Sequence, residues 1–218
     1  MKTGLPIAAI FVTLFAHITP LCAQEAAPKG HLTQSEIEDA LKSPAKKHHT
    51  KMIDMQSVFG SDLSNGSGHG AQLPSVDVYM PDARIAFQRD VAKSQYQHYA
   101  PASGDADTLR AMAVTAYGLA TGTNSGPACD SVRRVALIAG KDSDAVEATS
   151  SDDVTKTWHN AFGASASCSV VTAKFMLSDV QRVQALAKDE DFIIGVFYTG
   201  GSSKLYKVKK QYRKDLGL

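Results

Sequence analysis

"DFIIGVFYTGGSSKLYKVKKQY", residues 191–212, is two runs rich in apolar and β-forming residues around Gly200-Gly201-Ser202-Ser203. Two such runs joined by a short Gly/Ser turn form a β-hairpin, and a hairpin makes its strands antiparallel. Working outward, "SCSVVTAKFML" (167–177) reads as a strand. Its alternation puts Val171, Ala173 and Phe175 on one side and Cys168, Val170 and Thr172 on the other. Ser178 then caps a helix over "DVQRVQALAK", whose apolar face is Val180, Val183 and Ala187. Val132–Ala139 reads as a strand buried on both faces at its centre, "GKDSD" as a turn and "AVEAT" as a short return strand. "SVDVYM" (75–80) alternates Val76, Val78 and Met80, and Pro81 fits the first turn of a helix running to about His98. The stripe expected on that helix is Ile85, Phe87, Val91 and Ala92. In "DADTLRAMAVTAYGLATG" (105–122) Ala and Leu favour a helix, while Val114, Thr115 and Tyr117, followed by Gly118 and Gly122, allow a strand, and the strand is the reading taken. Helices and hairpins are mixed without strict strand-helix alternation. The expected fold is therefore α+β, a mainly antiparallel sheet with two to four helices packed on it.

The N-terminal part reads differently. Lys2 precedes an apolar run from Leu5 to Ala16, too short to span a bilayer, which takes roughly 20 residues. A charged start, a short apolar run and small residues beyond it describe a secretory signal peptide over residues 1–23. Leu21 before Cys22 is a poor fit to lipoprotein processing, so cleavage is expected after Ala23, and the mature protein is expected to be exported, periplasmic or secreted. Residues 24–75 read as a flexible leader carrying one short amphipathic helix at 34–43, with residues 76–218 as the α+β domain. Thr33 and Glu36 have the spacing of a capping box, Leu32 and Ile37 that of a staple across it, and Pro44 ends the helix. The Gly/Ser-rich piece ending "GSDLSNGSGHGAQLPS" is a linker that holds the sequon Asn65-Gly66-Ser67.

Cys129 and Cys168 are the two cysteines left after such cleavage. In an oxidising compartment an even pair is bridged, and no C-x-x-C spacing marks a redox couple. Lysine plus arginine is 23 against 22 for aspartate plus glutamate. Removing Lys2 with the signal makes the balance even, so no overall field draws the chain to nucleic acid or acidic membranes. No second apolar run is long enough to span a membrane.

Signatures of chemistry are sparse. There is no G-x-S-x-G elbow and no H-E-x-x-H helix. The glycines of "GLATGTNSGPACD" lack the lysine of a P-loop. His48 and His49 are adjacent, so their side chains diverge, and Lys46, Lys47 and Lys51 repel a cation beside them. No metal or cofactor site is expected. Asp152 with Asp153, and Asp189 with Glu190 and Asp191, read as solvated clusters in turns or helix ends. What stands out is the basic C-terminal segment, with Lys204, Tyr206, Lys207, Lys209, Lys210, Tyr212 and Arg213 as candidate binding residues. Extended as one strand, it would place Tyr206, Val208, Lys210 and Tyr212 on one face and Lys207 and Lys209 on the other. A sheet edge whose lysines discourage pairing with other chains accounts for the same pattern. The functional expectation is a non-enzymatic exported module that binds an envelope protein or a polyanionic surface through this basic edge. The alternative is a small exported hydrolase with a site near Trp158, His159 and Asn160.

Overall fold

The structure, a computed structural model, describes residues 27–53, 75–123, 126–139, 144–159, 165–187 and 192–218. The signal segment, the sequon, His69, Asn160 and the acidic cluster at 189–191 lie outside the described residues. Among the described residues two large antiparallel sheets and four helices make up an α+β fold. The first sheet has the order β1 (His49–Ile53), β2 (Ser75–Tyr79), β3 (Ala111–Tyr117), β9 (Ser165–Met176) and β8 (Ser150–His159). The second has the order β11 (Ser203–Val208), β10 (Phe192–Tyr198), β6 (Val132–Ile138) and β7 (Ala145–Glu147). A separate hairpin joins β4 (Leu119–Thr123) to β5 (Gly126–Asp130). The opening hairpin is present: Phe192 stands opposite Val208 and Phe197 opposite Ser203.

The two sheets bury one face of each in a common core. From the first come Met52, Val76, Val78, Met112, Val114 and Phe175; from the second, Val135, Leu137, Ile194, Val196, Tyr206 and Val208. Period-2 alternation explains the choice, since each of these residues shares a face with its cross-strand partner. Val78, for example, lies opposite Val114, which lies opposite Ala173. Helix α3 (Leu177–Ala187) follows β9 without a break and adds Val180, Val183 and Ala187, as its periodicity predicts. It begins at Leu177, so Ser178 lies inside the first turn and does not cap it.

Helices α1 (Gln34–Lys42) and α2 (Pro81–Ser94) form a second, smaller cluster through Leu32, Ile37, Ala40 and Ile85. The capping box is complete. Thr33 Oγ1 accepts from the Glu36 amide at 3.3 Å, and Glu36 Oε2 accepts from the Thr33 amide at 2.8 Å. Glu36 also takes Arg110 at 2.5 Å. Burial works to raise the Glu36 carboxyl, but the Thr33 hydrogen bonds and Arg110 outweigh it and hold it below its ordinary value. Arg89 donates to the Leu41 and Ser43 carbonyls at the end of α1. Helix α2 is clasped to the sheet by Arg84, only 4% exposed, which donates to the carbonyls of Asp107 (2.7 Å), Leu109 (2.9 Å) and Ala111 (3.4 Å).

Three expectations are corrected. Helix α2 ends at Ser94, short of His98, and its buried residues are Pro81, Ala83, Arg84, Ile85 and Ala86, while Phe87 is 40% exposed. Its first half is enclosed between sheet and α1, and its second half runs out into solvent. Within the segment read as a leader, His49–Ile53 pairs with β2 as an edge strand, anchored by Met52 in the core. Asp152 and Asp153 lie within strand β8, not in a turn.

Cys129 and Cys168 form a disulfide with a Cα–Cα distance of 5.6 Å. The bond ties the β4–β5 hairpin to the first sheet. Gly118 is required beneath it, because a Cβ there would lie 2.9 Å from Cys129 Sγ and 3.0 Å from Cys168 Cβ. One residue on, Asp130 accepts from Thr199 Oγ1 (2.9 Å), the Gly200 amide (2.7 Å) and Ser202 Oγ (3.0 Å). The disulfide-linked hairpin therefore also fixes the turn between β10 and β11.

Candidate functional site

β11 is the edge strand of the second sheet, and its pleat sorts the candidate residues. Tyr206 and Val208 point into the core, 2% and 0% exposed, whereas Leu205 and Lys207 point out. Tyr206 is thus a core residue, not a surface ring. Lys204 is half-buried on the inward side. The single extended strand also stops early. At Lys209 the chain turns into α4 (Lys210–Leu216), which closes at Gly217 in the left-handed conformation, φ 75°. Tyr212 and Leu216, four residues apart, turn inward against the core. Arg213 is half-buried on the same helix. Of the seven candidates, Lys207, Lys209 and Lys210 are exposed together, and Lys214 joins them one turn on.

The outward face of the second sheet lies beside these lysines. Ile138, Ile193 and Phe197 are half-buried there and Leu205 is 43% exposed. Gly195 sits among them, with the Phe197 ring and Ile138 Cδ1 within 3.0–3.1 Å of where a Cβ would stand. Arg134 lies over the Phe197 ring at 4.3 Å and pairs with Glu147 at 3.0 Å. The face is an apolar shelf with a cationic margin.

Sequence reasoning missed a polar row on the outward face of the first sheet. His49 stacks on Tyr79, centroids 4.2 Å apart and planes within 8°, and its Nε2 lies 3.5 Å from Asp77 Oδ1. Tyr117 donates to Asp77 Oδ2 at 2.6 Å. Burial raises the Asp77 carboxyl, but the His49 and Tyr117 hydrogen bonds with the charges of His49 and Lys51 prevail and lower it. Burial and Asp77 push the Tyr79 phenol up to about 12, and burial with the Asp77 hydrogen bond pushes Tyr117 higher still. Next in the row, Thr115 and Thr172 hydroxyls meet at 3.0 Å, and the buried Lys174 reaches Asp152 at 2.9 Å. The signal was present in "SVDVY", where Ser75, Asp77 and Tyr79 alternate against the two valines.

His48 and His49 do diverge. His48, at φ 55°, faces Asp82 at 3.7 Å and borders a cavity of about 370 Å³ with Glu36, Asp39, Met80, Asp82 and Leu216. Among the described residues no three His, Cys, Asp or Glu side chains are grouped to hold a metal ion. For the hydrolase alternative, Trp158 and His159 fall at the end of β8 opposite Ala166 and Ser165, and their side chains lie outside the described residues. Among the described residues no helix is long and apolar enough to cross a membrane. No protein-family model matches the chain, and no curated protein or solved structure matches it.

Proposed function

We propose that the protein is an exported binding module that holds a polyanionic surface against the lysines where β11 runs into α4. The supporting observation is the grouping of exposed Lys207, Lys209, Lys210 and Lys214 at one edge of a chain whose formal net charge is only +1. Cations gathered in one place raise the local potential even when the total charge is near zero, and they attract a flexible anion without a cavity. The signal-like N-terminus and the Cys129–Cys168 disulfide support export, since such bonds persist in oxidising compartments. The four lysines sit on a strand and a helix joined at Lys209, so the backbone that presents them is ordered before binding.

Titration of the purified protein with a heparin oligosaccharide tests this. The expected result is binding that weakens as salt rises and falls at least about tenfold when Lys207, Lys209 and Lys210 are changed to Gln. An affinity unchanged by the three substitutions would remove the proposal.

A further inference from the structure

β8 is an anomaly in this fold. It runs for 10 residues, Ser150–His159, and forms one edge of the first sheet. Among the described residues no strand pairs with its outer edge. Every residue from Ser150 to Thr157 is exposed, and Val154 is 56% exposed. From Ser150 to Thr157 no side chain belongs to either core cluster. The remaining edges of the two large sheets are blunted: β7 has three residues, β1 has five with α4 beside it, and β11 carries lysines. A long exposed edge with unpaired backbone groups is a template for another strand.

The charges on β8 say which strand. Asp152, Val154 and Lys156 alternate onto one face, where they neighbour Thr172, Val170 and Cys168 of β9. Place a second β8 antiparallel to the first, with the two-fold axis at Val154. Val154 then meets its own copy, Asp152 faces the second copy's Lys156, and Lys156 faces the second copy's Asp152. On the other face Asp153 stands opposite Thr155. An isologous pairing requires a self-complementary strip, and this strip is one: an apolar centre with opposite charges two positions to either side. Opposite charges directly across an antiparallel pair attract, and like charges repel. Asp152 is free to take both partners, because Lys174 occupies only one oxygen, Oδ2.

We infer that two copies of this chain associate through β8, joining their five-stranded first sheets into one continuous sheet across a two-fold axis. The surface differs from the basic edge at β11 and stands whether or not a polyanion binds there.

Val154→Lys and Val154→Glu provide the test, since the exposed position lets both variants keep the fold, which circular dichroism verifies. In sedimentation of the purified protein the unsubstituted chain is expected to form a dimer in the micromolar range. Each variant alone places like charges on the axis and is expected to dissociate at least about tenfold more readily. An equimolar mixture of the two sets the introduced ammonium against the introduced carboxylate on the axis and is expected to recover the dimer. The inference is overturned if the unsubstituted chain stays monomeric at about 100 μM, if both variants dimerise as it does, or if the mixture stays monomeric.

Discussion

Asp77 stands within the polar row on the outward face of the first sheet. It receives the Tyr117 hydroxyl and faces His49, which lies flat on Tyr79. Because its carboxyl is held below its ordinary value, the folded state favours the charged form. A depressed carboxyl contributes stability that is fully present above the unfolded-state value, near 3.9, and is lost as the pH falls through the folded one. Asp77→Asn removes that contribution, at a cost of about 1–2 kcal/mol at pH 7 for exchanging a charged acceptor for a neutral one. The difference in denaturant midpoint between the two proteins is expected to be complete at pH 7 and to close below about pH 3.9. An unchanged difference at about pH 2.5 would contradict it. At this scale the sequence was legible where alternation decides: Val76 and Val78 inward, Lys207 outward. Tyr206 was misjudged because charge drew attention to its neighbours, although its place two residues before Val208 already assigned it to the buried face.

Elements with a regular apolar period were readable, as β9, α1 and α3 show, and β3, β6 and β10 were readable from their runs of β-forming residues. β8 was not, because Ser150–Thr157 is exposed on both faces and carries no apolar period to detect. Among the described side chains of β1, Met52 is the apolar one in the core, which leaves too short a pattern. Helix α4 was hidden by its lysines, yet Tyr212 and Leu216 at helical spacing before Gly217 were a usable stop signal. Arg84 shows how an element can be held by a feature that no pattern reveals. Its guanidinium, which burial pulls below its ordinary value, serves three carbonyls across the chain from it. Arg84→Met keeps much of the side-chain volume and leaves those acceptors without their donor. The expected loss is about 3 kcal/mol in denaturant unfolding, with α2 amides gaining hydrogen exchange first. A change under about 0.5 kcal/mol would show that the clasp is dispensable.

The whole molecule is two sheets with a shared core, linked at one end through the disulfide-bearing hairpin. Cys129 ties it to β9, and Asp130 ties it to the β10–β11 turn. The bridge closes a sequence separation of 39 residues, worth about 4 kcal/mol in the chain-entropy model. Dithiothreitol is expected to lower the urea midpoint by about that much stability, and exchange at the β10–β11 turn is expected to rise with it. A midpoint insensitive to reductant would mean that the bridge adds nothing to the fold. The pairing of Cys129 with Cys168 was legible on the reading that assigns Cys22 to a signal segment; the coupling through Asp130 was not, since it joins residues 69–72 positions apart.

Whether the lysines at the β11–α4 junction act as a site, and not merely as net charge, is decided by one salt-gradient elution from a heparin column with charge-matched variants. One variant carries Gln at Lys207, Lys209 and Lys210; the other carries Gln at the exposed but dispersed Lys29, Lys46 and Lys93. The junction variant is expected to elute at clearly lower salt than the unsubstituted protein, with the dispersed variant eluting close to the unsubstituted protein. Equal shifts for both, or no shift for the junction variant, would contradict the account.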